Sequence, residues 1–272
     1  MNQHEQVIII GGGPAGAACA VQLKRYGINP LLLEKHSIGG LVKNAWRLDN
    51  YPGYPEGITG IDMAEKIRAH LKRFDIRYSI CDIRYLKLIN NQFVLEGVGA
   101  VYTCKYLVVA SGTKPREIGE DIPQEYVKSI YSEVYPLRNI KGKEIDIVGA
   151  GDAAFDYAMT LSEHNIVHIH NRGTGIKCIP ALQEITKSQP NIYYHENSKP
   201  SFSSDYTIFA VGREAELGFL SDEIINDQGK LEQDGLIYIV GDVKNGMVRQ
   251  TSVAIGDGIR AAMAIREKMI EG

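Results

Sequence analysis

Three glycines and one acid have the types and spacing needed to hold a dinucleotide: Gly11-x-Gly13-x-x-Gly16, with Glu34 twenty-three residues after the first glycine. Gly11 permits a tight turn, Gly13 leaves no side chain where a pyrophosphate must approach, and Gly16 lets a helix pack closely on a strand. Pro14 and Ala15 open that helix, whose first N–H groups and positive dipole end suit phosphates. Glu34 can accept hydrogen bonds from a ribose. A glycine triplet alone is weak evidence, but here it stands in the order strand, turn, helix, strand, acid. The pattern recurs. Gly149, Gly151, Asp152, Ala153 and Ala154 make a GxGxxA turn, and Arg172 follows Gly149 by twenty-three residues. On equal spacing Arg172 takes the place of Glu34; an acid there holds a free 2′-hydroxyl, whereas an arginine suits a 2′-phosphate. Two such units imply two dinucleotide sites, or one site and a relic.

The cysteines carry a different message. Cys19, Cys81, Cys104 and Cys178 are widely spaced, with no Cys-x-x-Cys anywhere. That spacing suits reduced, buried thiols better than a disulfide framework, a redox dithiol or a zinc site, and no metal site is expected.

The elements that must position these residues follow from periodicity and turn signals. An apolar strand at 7–10 enters the glycine turn, the helix stops at Gly27, and a second strand at 31–33 ends on Glu34. Residues 35–41 read as a loop and 49–55 as a proline-rich turn region. Residues 61–74 form an amphipathic helix with Ile61, Ala64, Ile67, Leu71 and Phe74 on one face. Short strands at 77–83, 86–89 and 93–96 suggest a small meander, and a buried strand at 106–110 ends in Ser111-Gly112-Thr113. In the second half a strand at 145–148 precedes a helix to about His164. Asn165 stands where a left-handed helix stop is expected. Strands at 166–170, 192–195 and 207–211 follow, with 197–204 a plain loop. Finally a strand at 236–240 runs into Gly241-Asp242, and a helix spans about 252–268. Asp242 there can hold a polyol, and the helix start can set positive potential against an electron-rich ring edge.

At 272 residues the chain holds one large or two medium domains. Its net charge of −3, with basic residues scattered, gives no sign of nucleic-acid binding. The uncharged stretch 6–23 lacks a basic n-region and contains four glycines and a proline, so it reads as strand, turn and helix and not as a signal peptide or membrane span. No membrane association is expected, and a cytoplasmic protein is the default.

These motifs together resemble the two-dinucleotide-fold flavoprotein reductases, in their thioredoxin-reductase-like branch. The resemblance is carried by Gly11–Gly16, Ile38-Gly39-Gly40, Asn50-Tyr51-Pro52-Gly53, Gly57-Ile58-Thr59-Gly60, Tyr102-Thr103-Cys104, Ala110-Ser111-Gly112, Gly149-Ala150-Gly151-Asp152, Val240-Gly241-Asp242 and Arg249-Gln250-Thr251, in the family's order over nearly the whole chain. It implies an α/β fold of two Rossmann-like three-layer domains. An FAD domain at 1–115 and 214–272 would be interrupted by an NAD(P)H domain at 116–213. FAD's pyrophosphate would lie on Gly13–Gly16 and its adenosine ribose on Glu34. The flavin would sit among Gly39, Gly40, Leu41, Asn50 and the helix start at Arg249, Gln250 and Thr251, with Asp242 on the ribityl chain. Lys35, Ile83, Ser111, Gly112, Thr113 and Gly241 complete the expected FAD set; Gly149, Gly151, Asp152, Ala153 and Arg172 form the expected NAD(P)H set. Relatives are commonly homodimers.

Departures from the family pattern decide the expected chemistry. Thioredoxin reductases carry a Cys-x-x-Cys before the second glycine turn, and residues 130–135 here have no cysteine. The flavin then cannot pass electrons on by thiol–disulfide exchange. The chain resembles the ferredoxin–NADP reductase branch, which also lacks those cysteines. Gly173 follows Arg172 where relatives have a second arginine, the inserted domain is short, and Leu41 replaces a common glutamine. The expected function is an FAD-dependent NAD(P)H oxidoreductase using NADPH or NADH. Its acceptor would be a small redox protein such as ferredoxin or flavodoxin, or a small molecule. An FAD-binding paralogue with a degenerate nicotinamide site, acting in binding or sensing, is the alternative. No catalytic side chain is assigned; Tyr131 and Glu133, on the segment replacing the dithiol, are the nearest candidates. Lys24, Arg25, Lys66, Arg68, Lys72 and Arg73 could dock an acidic partner or be solvated helix faces.

Overall fold

The computed structural model describes residues 2–118 and 122–271. The chain forms two compact units, one of 1–42, 61–114 and 214–272, the other of 43–60 and 115–213. The segment 43–60, which lies between two parts of the first unit in sequence, packs with the second.

Strand β1 (Asn2–Ile10) runs into helix α1 (Pro14–Arg25) and strand β2 (Leu31–Glu34). Helix α1 stops where Gly27 adopts φ 78°, with the amides of Tyr26, Gly27 and Ile28 turned back onto the carbonyls of Leu23 and Lys24. Helix α2 (Gly60–Arg73) is amphipathic as expected, but its buried side is Met63, Ala64, Ile67 and Leu71, and Ile61 is exposed. Strands β3 (Arg77–Ile80), β4 (Ile83–Ile89), β5 (Gln92–Gly97) and β6 (Ala100–Val109) follow. The expected meander is displaced by one strand: β3 pairs parallel with β2, and the antiparallel strands are β4, β5 and β6. Asn90 and Asn91, at φ 49° and 60°, close the β4–β5 hairpin in the left-handed conformation that a two-residue turn requires. The pattern of apolar residues shows strands; it does not show which neighbour each one takes.

Strand β7 (Thr113–Pro115) precedes the second unit, which contains β8 (Ile130–Tyr131), β9 (Glu144–Val148), α3 (Asp152–Leu161), β10 (Ile166–His170), α4 (Pro180–Lys187), β11 (Ile192–His195) and β12 (Tyr206–Phe209). Strand β13 (Arg213–Ala215) then pairs with β7, and α5 (Asp222–Gln233), β14 (Ile237–Ile239) and α6 (Thr251–Glu271) complete the first unit. Helices α4 and α5 were not expected from periodicity. Their start signals are nonetheless local: Pro180 in the first turn of α4, and Ser221 capping α5 by accepting from the Ile224 amide.

The two large sheets share one parallel core order. The first runs β3-β2-β1-β6-β5-β4 with β14 beside β6, and the second runs β11-β10-β9-β12-β8. In each, the first strand of the nucleotide unit (β1 or β9) lies between the second strand and a strand that arrives much later. This is the topological switch point, where a crevice opens beyond the carboxyl ends of the strands. Both glycine turns stand there.

Each unit has its own apolar core. Ile8, Leu33, Leu86, Phe93, Leu95 and Leu107 are among the fully buried residues of the first, and Ile145, Ile147, Val167, Ile169 and Ile208 of the second. Helix α6 lies on α1 through small residues: Ala254, Gly258, Ala261 and Ala262 are buried, and a Cβ at Gly258 would collide with the Ala15 carbonyl oxygen. The larger residues of this helix divide: Val253, Ile259 and Met263 are exposed, whereas Ile265 is fully buried. Close approach to a helix rich in alanine and glycine favours the small side.

Candidate functional site

In the first unit, each glycine of the turn has a separate physical reason. Gly11 has φ 104°, and a Cβ there would collide with the Ala110 carbonyl oxygen just beyond the end of β6. A Cβ at Gly16 would collide with the Gly11 carbonyl oxygen. At Gly13, by contrast, a Cβ would meet nothing within 4 Å. The first and last glycines are thus demanded by the protein's own packing, while the middle one borders open space at the N-terminus of α1. That space is the cradle a pyrophosphate needs.

Glu34 closes the turn from the end of β2. Its Oε2 accepts from the Gly12 amide at 2.6 Å, and its Oε1 accepts from the amides of His36 at 2.9 Å and Ser37 at 3.3 Å. A carboxylate has about four lone-pair sites, so a ribose hydroxyl can still be accepted beside these three amides. The next loop folds back over the turn. The Gly39 amide donates to the Gly12 carbonyl at 2.9 Å, and Gly40, at φ 58°, would bring a Cβ within 3.1 Å of the Gly13 Cα. Leu41 continues in a 3-10 turn spanning Gly40–Asn44.

The remaining expected FAD residues divide. Gly241, at φ 76°, sets the turn Gly241–Val243 against Ala15, and Asp242 is half-buried on that turn. Arg249, Gln250 and Thr251 lead into α6, where the Ala254 amide donates to the Gln250 carbonyl at 2.9 Å. The Ser111 hydroxyl donates to the Glu216 carbonyl at 2.6 Å, the Glu216 amide donates to the Gly112 carbonyl, and Thr113 is buried at the start of β7. Lys35 is exposed beside Asp82, 3.5 Å from its carboxylate, and the Ile83 side chain is buried in the core. Asn50 is exposed on the segment that packs with the second unit. One residue escaped the sequence reading. Asp257 in α6 accepts from the Gly241 amide at 3.2 Å and from Asn245 Nδ2 at 2.6 Å, so it holds the Asp242 turn. An acid within a helix otherwise rich in small and apolar residues was the available signal.

The second unit repeats the glycine geometry. A Cβ at Gly149 would stand 2.6 Å from the Ala210 carbonyl oxygen just beyond the end of β12, and a Cβ at Gly151 would meet nothing within 4 Å. Ala154 fills the place of Gly16 and is fully buried; Ala153 is exposed. The Lys177 amide donates to the Ala150 carbonyl at 2.8 Å, as Gly39 does to Gly12, and Asp152 Oδ1 accepts from the Ile179 amide at 2.8 Å.

Two expectations for this unit are corrected. Asn165 is not a left-handed helix stop, because its φ is not positive. Instead its buried side chain caps the corner: Oδ1 accepts from the Lys143 amide, and Nδ2 donates to the carbonyls of Ile140 and Leu161. The equivalence of Arg172 with Glu34 also fails. Ile10 pairs with Leu33 and the Gly11 amide donates to Leu33; Val148 pairs with His170 and the Gly149 amide donates to His170. The residue after His170 is Asn171, so the counterpart of Glu34 is Asn171, and Arg172 is exposed on the loop beyond. Leaving α3 without a left-handed glycine shortens the return by one residue.

Tyr131 and Glu133 are both engaged within the second unit. The Tyr131 ring stands edge-on to Tyr206 at 5.9 Å. Glu133 Oε1 accepts from Arg213 at 3.1 Å and its Oε2 from Asn44 Nδ2 at 3.2 Å. All four cysteines are buried and reduced. Burial raises the Cys19 and Cys104 thiols far above the ordinary range and the Cys178 thiol to about 11. Of the basic residues considered for docking, Lys24 donates to Asn29 and Asp75, Arg25 to Gln22 and Arg68 to Glu65, as ordinary helix-face groups do. Among the described residues, no helix is long and apolar enough to cross a membrane.

Two Rossmann-type units, each with a glycine turn at its switch point, define a two-dinucleotide α/β protein. The model of the pyridine nucleotide-disulphide oxidoreductase family matches residues 5–184, and the chain belongs to that family. It is 27% identical to a "34.2 kDa protein in rubredoxin operon" of Clostridium pasteurianum, with both chains covered in full. It is also 27% identical to a thioredoxin reductase of Bacillus subtilis, over 97% of this chain and 95% of that one. The thioredoxin reductase of Lactococcus lactis shares the fold with a TM-score of 0.84 at 22% identity, over 98% of this chain and 100% of that one. The family works with FAD and a pyridine nucleotide, NADPH in its thioredoxin-reductase-like members. The first unit has features that fit FAD: open space at Gly13, a strand-end carboxylate at Glu34 with acceptor capacity to spare, and a half-buried Asp242 on the turn set against Ala15.

Proposed function

We propose that this oxidoreductase takes a hydride from a nicotinamide dinucleotide on the second unit and delivers electrons to an acceptor that is not a disulfide. The observation that carries this reading is the pairing of two intact glycine turns with four separate, buried thiols. Bound FAD supplies the hydride acceptor and the store of two electrons. The chain's residues bind and orient: Gly13 and the α1 N-terminus face the pyrophosphate, Glu34 a ribose, Asp242 the polyol, and the start of α6 the electron-rich ring edge. The dithiol needed for thiol–disulfide exchange is missing from 130–135, and thiols raised by burial are poor nucleophiles in its place.

The acceptor is a small one-electron redox protein or a small molecule. The full-length relative whose name places it in a rubredoxin operon favours the redox protein. The protein is read as cytoplasmic and homodimeric.

Anaerobic stopped-flow reduction of the FAD-loaded protein tests this. NADPH or NADH should bleach the flavin, and the reduced protein should then reduce rubredoxin, ferredoxin or flavodoxin but not oxidised thioredoxin. Turnover of a disulfide substrate would overturn the acceptor class. Bleaching by dithionite alone would leave an FAD-binding module with a relic second site.

A further inference from the structure

The strand-end residue that faces the adenosine ribose in a Rossmann unit discriminates between nucleotides by charge: an acid favours a free 2′-hydroxyl and a cation favours a 2′-phosphate. The register of β9 with β10 puts Asn171 in that place. Its amide is neutral and committed. Nδ2 donates to the Gly175 carbonyl at 3.0 Å and to the Tyr194 hydroxyl at 2.9 Å, and Oδ1 accepts from the Gly173 amide at 3.1 Å. Both amide hydrogens are used and one acceptor lone pair remains. Glu34 makes the corresponding contacts to its own loop through Oε1, but as a carboxylate side chain it presents acceptors only, with no amide hydrogens to commit.

The charges around this loop also balance. Arg172 and Lys177 are its two cations, both exposed. Glu196 accepts from the Gly175 amide at 3.2 Å, and Asp152 accepts from the Ile179 amide at 2.8 Å. The strand-end residue itself carries no charge, so it neither repels a phosphate as a carboxylate would nor demands one as a cation would.

Resting on the reading that the second unit binds a nicotinamide dinucleotide, we propose that Asn171 is its ribose-reading residue. The chain then accepts dinucleotides with and without a 2′-phosphate at comparable affinity, NADH as well as NADPH. Arg172 contributes only a modest, solvent-screened attraction to the phosphate.

Titration calorimetry of the FAD-loaded protein with ADP-ribose and with 2′-phospho-ADP-ribose tests this without requiring electron transfer. The two Kd values should lie within tenfold of each other. Asn171→Asp keeps the acceptor for the Gly173 amide and adds a charge, and should shift the ratio at least tenfold towards ADP-ribose. Arg172→Ala, at an exposed position, should weaken only the phosphorylated ligand, by three- to tenfold. A wild-type ratio above a hundredfold in either direction, an unchanged ratio in Asn171→Asp, or no binding of either ligand would overturn the proposal. If both fragments bind within tenfold but neither NADH nor NADPH bleaches the flavin, the hydride-transfer reading falls and this one stands.

Discussion

The Gly12 amide donates to Glu34 Oε2 at 2.6 Å, so the end of the second strand is tied to the middle of the phosphate turn before any nucleotide arrives. The same carboxylate gathers the amides of His36 and Ser37. It organises the loop, and the proposed function gives it a second role as acceptor for a ribose hydroxyl. Glu34→Ala should destabilise the FAD-free protein by about 1–3 kcal/mol, because buried amides lose a charged acceptor, and FAD should be lost on gel filtration. Glu34→Gln should fall between the two, since its amide group offers N–H to an N–H. Thermal unfolding of the FAD-free variants checks the first effect and the flavin-to-protein absorbance ratio the second; wild-type stability in Glu34→Ala would show that the loop does not depend on the carboxylate.

The glycines of the first turn separate folding from binding. Gly16→Ala places a methyl group against the Gly11 carbonyl oxygen and should unfold or strongly destabilise the first unit. Gly13→Ala adds its methyl group to open space at φ −74°, so the protein should fold with unchanged thermal stability. That methyl group stands where the pyrophosphate approaches, and FAD affinity should drop at least tenfold. A Gly13→Ala protein that retains FAD normally would move the cofactor away from this turn.

Asp156 on α3 gives the second unit a pH dependence. Burial raises its carboxyl from 3.8 to about 7, opposed by the Trp46 amide, which donates to Oδ2 at 2.9 Å, and reinforced by the negative charges of Asp152 and Asp49. The folded-state pKa lies above the unfolded one, so between about pH 4 and pH 7 the folded state holds a proton the unfolded state has lost. This contribution is fully present below pH 4 and is lost as pH rises through 7, with a ceiling of about 4 kcal/mol. Asp156→Asn keeps an acceptor for the Trp46 amide and removes the charge. It should melt higher than wild type at pH 8, the difference should shrink by pH 5, and coincident melting curves at both would refute the assignment.

The dinucleotide units, their order and most of their strands were legible in the sequence because each rests on local rules. A glycine at a turn, an apolar run and an acid at a strand end constrain only their immediate neighbours. Gly11, Gly13, Gly16, Glu34, Gly149 and Gly151 were singled out in this way; the dithiol missing from 130–135 stood out only against the family pattern. What needed the tertiary structure was pairing. Whether residues 77–80 join a meander or the parallel sheet depends on which strand lies beside them. The buried side of α6 depends on the small residues of α1 that meet it. Counting residues placed Arg172 opposite Glu34, but hydrogen-bond register places Asn171 there. Spacing along a chain is preserved only if the helix–strand return has the same geometry, and without a left-handed glycine after α3 that return is one residue shorter.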